Sequence, residues 1–345
     1  MSLILSLLLA SFFINGILLI PFIHIVYKMK FERQKQKTKD AFNIPTPIFD
    51  ALHKLKAGTP LGGGLLLVIT TTFLFFLSFP ILYYFWIPIT SVYTNIGSEI
   101  KILIFTFISF SFIGLYDDIK KVFFGTGEKF FGMRLRHKLI LEVILASVAA
   151  FWLYSELKID IIHIPFLGVV NLGIFYIPFA AFVIVSFANA YNITDGLDGL
   201  ASGVLFIALC AFWVISHAIL DTPIALFIAA WLGGLIAFLY FNVYPARIFL
   251  GDVGALSFGA TFAIIGLLLG KVFSLIIIGG FFVIEVTSSF LQLVSKKYRG
   301  KKLMRVAPFH LWLQERGWLE STVVFRAWLA SIVLSLLGLW LAFLS

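Results

Sequence analysis

The sequence predicts an all-α polytopic membrane protein of about ten transmembrane helices, and three observations predict it. Of 345 residues, 61% are hydrophobic and only 12% charged, against about 45–50% and about 25% in soluble domains. Apolar stretches of about 20 residues recur along the chain, each able to cross a hydrocarbon core of about 30 Å. A barrel would instead show short segments of alternating hydrophobicity. Finally, the basic residues crowd into alternate loops, as they do in multi-pass proteins. Residues 1–345 read as a single integral membrane domain, without a soluble module or a low-complexity linker.

Residues 3–27 are apolar with no basic residue before them, which reads as a first spanning helix rather than a cleaved signal peptide. A long polar, basic loop follows, to Pro60. Further spans are expected at 61–83, 102–116, 139–154, 173–188, 200–218, 224–241, 253–269, 272–294 and 324–344. Between residues 160 and 173, Ile and Val alternate with Pro165, Gly168, Asn171 and Gly173, the pattern of a short hairpin. The lone Cys210 excludes an intrachain disulfide framework and a cysteine-based zinc site.

With ten spans the loops alternate sides. Twenty-three of the 26 Lys and Arg fall on one side, between residues 28 and 56, between 120 and 138, at Arg247, and between 296 and 326. Lys101, Lys158 and Lys271 are left for the other. By the positive-inside rule the rich side is cytoplasmic and both termini lie outside, as expected of a cytoplasmic (inner) membrane protein. This asymmetry accounts for much of the net charge of +9, so nucleic acid is not needed to explain it. Attraction to membrane lipids with anionic headgroups is a further use of the same charge. The 40 Phe and 8 Trp fit lipid-facing and interfacial positions.

The aspartates are more informative. Of nine, Asp117 and Asp118 close the third predicted span, Asp195 and Asp198 open the sixth, and Asp252 opens the eighth. All five fall at the predicted cytoplasmic face. An Asp at a helix start often only caps free N–H groups, and Asp252 has that reading open to it. Adjacent carboxylates such as Asp117 and Asp118 repel unless a cation sits between them. Asn189-Ala190-Tyr191-Asn192-Ile193-Thr194-Asp195-Gly196-Leu197-Asp198-Gly199 is too polar for hydrocarbon unless it lines a hydrated site. Carboxylates suit Mg²⁺, which takes one or two of them plus water and substrate phosphate. Glycines allow close approach of backbone, and lysines neutralise phosphate. The inferred chemistry is Mg²⁺-assisted phosphoryl transfer from a soluble diphosphate-linked donor to a lipid acceptor.

Tyr116-Asp117-Asp118-Ile119-Lys120-Lys121, the 189–199 stretch, Phe249-Leu250-Gly251-Asp252-Val253-Gly254 and Arg305-Val306-Ala307-Pro308-Phe309-His310 resemble, in order and spacing, the polyprenyl-phosphate N-acetylhexosamine-1-phosphate transferases. Thr194 before Asp195, Lys56-Ala57-Gly58-Thr59-Pro60, and Gly317-Trp318 with Val323-Val324 make the chain most similar to the branch that moves phospho-MurNAc-pentapeptide. That resemblance implies a UDP-linked sugar donor, undecaprenyl phosphate as acceptor, lipid I and UMP as products, Mg²⁺ as cofactor, and a homodimer. Carried over motif by motif, Asp252 is the expected metal ligand, and Asp117, Asp118, Asp252 and His310 the catalytic set. Asp117 would deprotonate or orient the lipid phosphate. Lys56, Lys121, Asn189, Asn192, Asp195, Asp198, Phe249, Gly251 and Gln292 are the expected substrate-binding residues, with Gln292 and His310 towards the sugar.

The sequence departs from that branch at His310-Leu311-Trp312, where three histidines are usual, and at Leu61, where a hydroxyl residue is usual. These departures bear on the donor sugar more than on phosphoryl transfer. The alternatives are a related transferase acting on another UDP-N-acetylhexosamine and a non-catalytic transporter or lipid scaffold. A transporter would place charge at mid-membrane and repeat its halves, which this sequence does not do. Two intramembrane carboxylates stand apart. Glu285 either lines a lipid groove or pairs with a neighbouring helix, and Glu142 is expected to snorkel to water. His24, His53, His137, His163 and His217 are scattered and read as interfacial.

Overall fold

The computed structural model describes residues 2–32, 56, 58–123 and 132–344. Much of the basic run, including Arg33, Lys35, Lys37, Lys39, Lys54 and Lys129, lies outside the described residues, as do His53 and Ala57.

The described chain is helical: α1 (Ser2–Lys28), α2 (Gly63–Tyr84), α3 (Ile96–Phe123), α4 (Leu135–Ser155), α5 (Tyr176–Thr194), α6 (Leu200–Ala218), α7 (Thr222–Asn242), α8 (Asp252–Leu268), α9 (Val272–Ile278), α10 (Gly280–Arg299), α11 (Phe309–Glu315) and α12 (Glu320–Phe343). Only the helix satisfies every backbone group within its own segment, so apolar runs of this length fold this way in lipid. Eight of these helices are long and apolar enough to cross a membrane, and the bent pair α9 and α10 makes a ninth span if counted as one. The protein is therefore polytopic. The expected hairpin forms from antiparallel β1 (Ile161–Ile164) and β2 (Gly168–Asn171), with Ile161 opposite Asn171 and Ile164 opposite Gly168.

Three expectations need correction. The span at 272–294 is not one straight helix: it breaks at Gly279 and bends by 78°, since glycine offers the chain little resistance to bending. The third span is longer than 102–116. Asp117 and Asp118 lie within the last turns of α3, which continues to Phe123. The eighth, α8, has 17 residues, every one of them buried, so it is the central post of the bundle. An apolar helix of that kind belongs inside a protein.

Phe107 and Trp231 pack against Phe258 of this post, their rings meeting edge-on or stacked. Ser257 Oγ donates to the Phe107 carbonyl. At the periphery, α1 exposes Leu9, Phe13 and Ile17 on one side. Its other side carries Ser11 and Asn15. Ser11 Oγ donates to the Ala230 carbonyl at 2.6 Å, and Thr70 Oγ1 to Asn15 Oδ1 at 2.7 Å. Buried polar pairs of this sort join helices where water is absent.

Candidate active site

The site begins with backbone pairing. Phe249 N donates to the Pro60 carbonyl at 2.8 Å, Gly63 N to the Phe249 carbonyl at 3.0 Å, and Gly64 N to the Leu250 carbonyl at 2.9 Å. The Pro60–Gly64 stretch is thereby stitched to the segment leading into α8. Gly251 (φ +79°) sits against α3, where a Cβ would fall 2.6 Å from Asp118 Oδ2. Asp118 Oδ2 accepts from Val253 N at 3.0 Å, which ties the end of α3 to the start of α8.

Asp252 and Asp117 then face each other across two lysines. Lys121 Nζ lies 3.0 Å from Asp117 Oδ2 and 2.8 Å from Asp252 Oδ2. Lys138 Nζ, from the first turn of α4, lies 3.4 Å and 2.6 Å from the same two atoms. Met133 N donates to Asp117 Oδ1. All four side chains are almost wholly buried, and buried charges persist only when paired in this way. A bare capping role for Asp252 does not describe this knot.

A second cluster forms at the turn between α5 and α6. Lys56 Nζ reaches Asp198 Oδ1 at 2.8 Å and Glu320 Oε1 at 2.6 Å, and donates to the Gly196 carbonyl at 3.1 Å. Ala246 N donates to Asp198 Oδ2 at 2.9 Å, and Asp198 N to Glu320 Oε1 at 2.8 Å. Beside it opens a cavity of about 280 Å³ lined by Lys56, Thr59, Asp198, Phe249, Glu320 and others. Phe249 thus lines the cavity, while three residues on, Asp252 belongs to the lysine knot.

The remaining residues fall around these two clusters. Asn189 Nδ2 donates to Glu142 and to the Val185 carbonyl. Glu142 is fully buried and does not snorkel to water as the sequence suggested, because the Asn189 amide gives it a partner inside. Asn192 is half-buried, its Nδ2 enclosed without a hydrogen-bond partner among the described residues. Asp195 caps the end of α5 at the same turn, its N–H donating to the Tyr191 carbonyl at 3.0 Å.

α10 carries a polar stripe at Glu285, Ser288, Gln292 and Ser295, a spacing that puts all four on one helix face. It grips the returning segment at every step. Ser295 Oγ donates to the Lys301 carbonyl at 2.9 Å. Gln292 accepts from Leu303 N and Met304 N and donates to the Met304 carbonyl. Ser288 Oγ accepts from Phe309 N at 3.0 Å. At the top, Glu285 Oε1 accepts from His310 N at 3.1 Å, and Glu285 Oε2 lies 3.0 Å from His310 Nδ1. This settles Glu285 as a paired residue rather than a groove lining. The other imidazole edge packs on Gly196, where a Cβ would fall 2.6 Å from Nε2. Leu311 is buried, and the Arg316 guanidinium lies 4.1 Å over the Trp312 ring.

Sequence reading missed Lys138 and Glu320. Lys138 stands four residues before Glu142 on α4, so a basic–acidic pair inside an apolar run was the available signal. Glu320 follows the quoted Gly317-Trp318 and had no pattern of its own. Among the described residues no group of three or more His, Cys, Asp or Glu gathers as a metal cage.

Comparison with known proteins fits this geometry. Residues 100–270 match glycosyl transferase family 4. The chain is 34% identical over 327 residues to a phospho-N-acetylmuramoyl-pentapeptide-transferase of Clostridium novyi, covering 94% of this chain and 91% of the relative. It is 36% identical over 261 residues to the protein of that name from Pelagibacter ubique, covering 70% and 72%. With that of Borreliella burgdorferi the identity is 33% over 303 residues, covering 82% of each. The chain belongs to glycosyl transferase family 4, and the Asp117, Asp118, Lys121, Lys138 and Asp252 cluster lies within the matched residues.

Proposed function

We propose that the protein transfers phospho-MurNAc-pentapeptide from its UDP carrier to undecaprenyl phosphate at the cytoplasmic face of the membrane, giving lipid I and UMP. The observation that carries this reading is the pairing of two buried carboxylates with two buried lysines, joined through Phe249–Asp252 to a polar cavity. A phosphate oxygen of the lipid attacks the sugar-linked phosphorus of the donor, and the bond to the UMP oxygen breaks. An anionic nucleophile needs positioning and charge neutralisation more than activation. Direct displacement therefore suffices.

In this scheme Lys121 and Lys138 neutralise the phosphates. Asp117 and Asp252 orient the two ammonium groups, and Asp118 fixes the loop on which Asp252 stands. Lys56, Asp198, Asn192 and Phe249 form the nucleotide and diphosphate side. Asp252 and Asp117 supply the one or two carboxylates that Mg²⁺ takes along with substrate oxygens, and the ion would take the Oδ2 atoms that Lys121 and Lys138 hold here. When bound it would neutralise charge on the diphosphate. The two carboxylates would hold it.

The test supplies purified protein with undecaprenyl phosphate and Mg²⁺, offers UDP-MurNAc-pentapeptide and UDP-GlcNAc separately, and follows UMP. Release from the muropeptide alone, abolished by Asp117→Ala and Asp252→Ala, is expected. Release only from UDP-GlcNAc would reassign the donor. Release from neither would overturn the reading.

A further inference from the structure

From the α10 stripe we infer that Glu285 is a positioning residue, one that fixes which nitrogen of His310 carries the ring proton beside the Asp195–Asp198 turn. The inference rests on the proposed reaction for its kinetic consequence but not for its structural one. An ionised carboxylate can only accept hydrogen bonds. Its two oxygens are assigned to two different N–H groups of one residue, the His310 amide and Nδ1. Both partners are almost fully enclosed, at 0% and 1% exposure. Facing a carboxylate, Nδ1 carries the ring proton, which leaves the lone pair on Nε2.

Nε2 is also the atom packed on Gly196. The carbonyl of that glycine is held by Lys56, a wall of the cavity. The imidazole thus stands one residue behind the polar groups that would meet a sugar–diphosphate. Its Nε2 edge thereby sets the local polarity behind the turn that Lys56 holds. Among the described residues, the remaining stripe residues, Ser288, Gln292 and Ser295, bond only backbone, that of the returning segment and, for Ser288, also the Glu285 carbonyl. They hold the strap, whereas Glu285 alone of the four reaches a side chain.

Glu285→Gln separates these roles. Glutamine has one carbonyl oxygen for the His310 amide, so its NH₂ faces Nδ1 and selects the opposite tautomer. In ¹⁵N-histidine-labelled protein, with His310→Gln assigning the resonance, the wild type is expected to show protonated Nδ1. Glu285→Gln should show protonated Nε2 in the neutral ring. kcat should fall by about 10²-fold with donor KM changed less than about threefold, and Glu285→Asp should restore part of it. Unprotonated Nδ1 in the wild type, or an unchanged tautomer in Glu285→Gln, overturns the inference. So does an equal loss of kcat in Ser288→Ala, which loosens the strap without touching the imidazole. If the wild type turns over neither donor, the proposed reaction fails, while the spectra still decide the role of Glu285.

Discussion

The two ends of α3 handle buried carboxylates in opposite ways. At the start, Glu99 is fully buried and accepts from Ser91 Oγ at 2.6 Å, and the same hydroxyl lies 3.5 Å from Asp221. Asp221 in turn caps α7 through Ile224 N at 3.1 Å. At the other end, Asp117 meets two ammonium groups. The first arrangement uses hydroxyls and backbone N–H groups, which fasten a loop to helix starts. The second uses ammonium groups on long stems. Burial alone therefore does not distinguish the two carboxylates; the kind of partner does. Burial pushes the Asp221 carboxyl up from its ordinary range, ahead of the hydrogen bonds that oppose the shift.

The contrast is broken most sharply by neutralising Asp117 or Asp252. Asparagine at either position should lower transferase activity by about 10³-fold or more, measured as UMP release, because both lysines lose their orienting charge. Lys138→Met should come next, at about 10²-fold. Retention of full activity would show that Lys121 suffices. A smaller, different signature is expected from Lys56→Met: donor KM rising about tenfold with kcat changed less, since Lys56 sits at the cavity wall and holds Asp198 and Glu320.

The smallest effect belongs to the opposite end. Asp221→Asn should leave activity intact and change stability near neutral pH by only about 0.5 kcal/mol, because asparagine caps as well as aspartate. Its value is in the pH dependence. A carboxyl whose folded pKa is raised binds more protons when folded, so its contribution to stability is fully present below the unfolded value and is lost as pH rises through the folded one. Thermal unfolding followed as pH rises from about 4 should show that loss in the wild type and a flatter profile in Asp221→Asn. Equal slopes would show that the Asp221 carboxyl is not raised by its burial.

Much of this was legible in the chain. Apolar length gave the spans, and turn chemistry between residues 160 and 173 gave the hairpin. The recurrence of Asp, Asn and Gly at span ends singled out Asp117, Asp118, Asp195, Asp198 and Asp252 before any distance was known. What stayed hidden was pairing. Lys138 joins the knot with Asp252, 114 residues away, and Lys56 meets Glu320, 264 away. Periodicity cannot report a partner at that separation. The 78° bend at Gly279 was invisible for a related reason, since a run of apolar residues reads the same straight or broken.

The amino-acid sequence by itself determined that this protein lives in a membrane, roughly where its helices fall, and which polar side chains are too costly to be there without purpose. The tertiary structure alone decided what those side chains do. Hydrophobic segregation is a local property, written in each segment's composition. The charge state and direction of a buried group depend on whatever lies within hydrogen-bonding reach. For Glu142, Glu285 and Lys138 that neighbour comes from another helix.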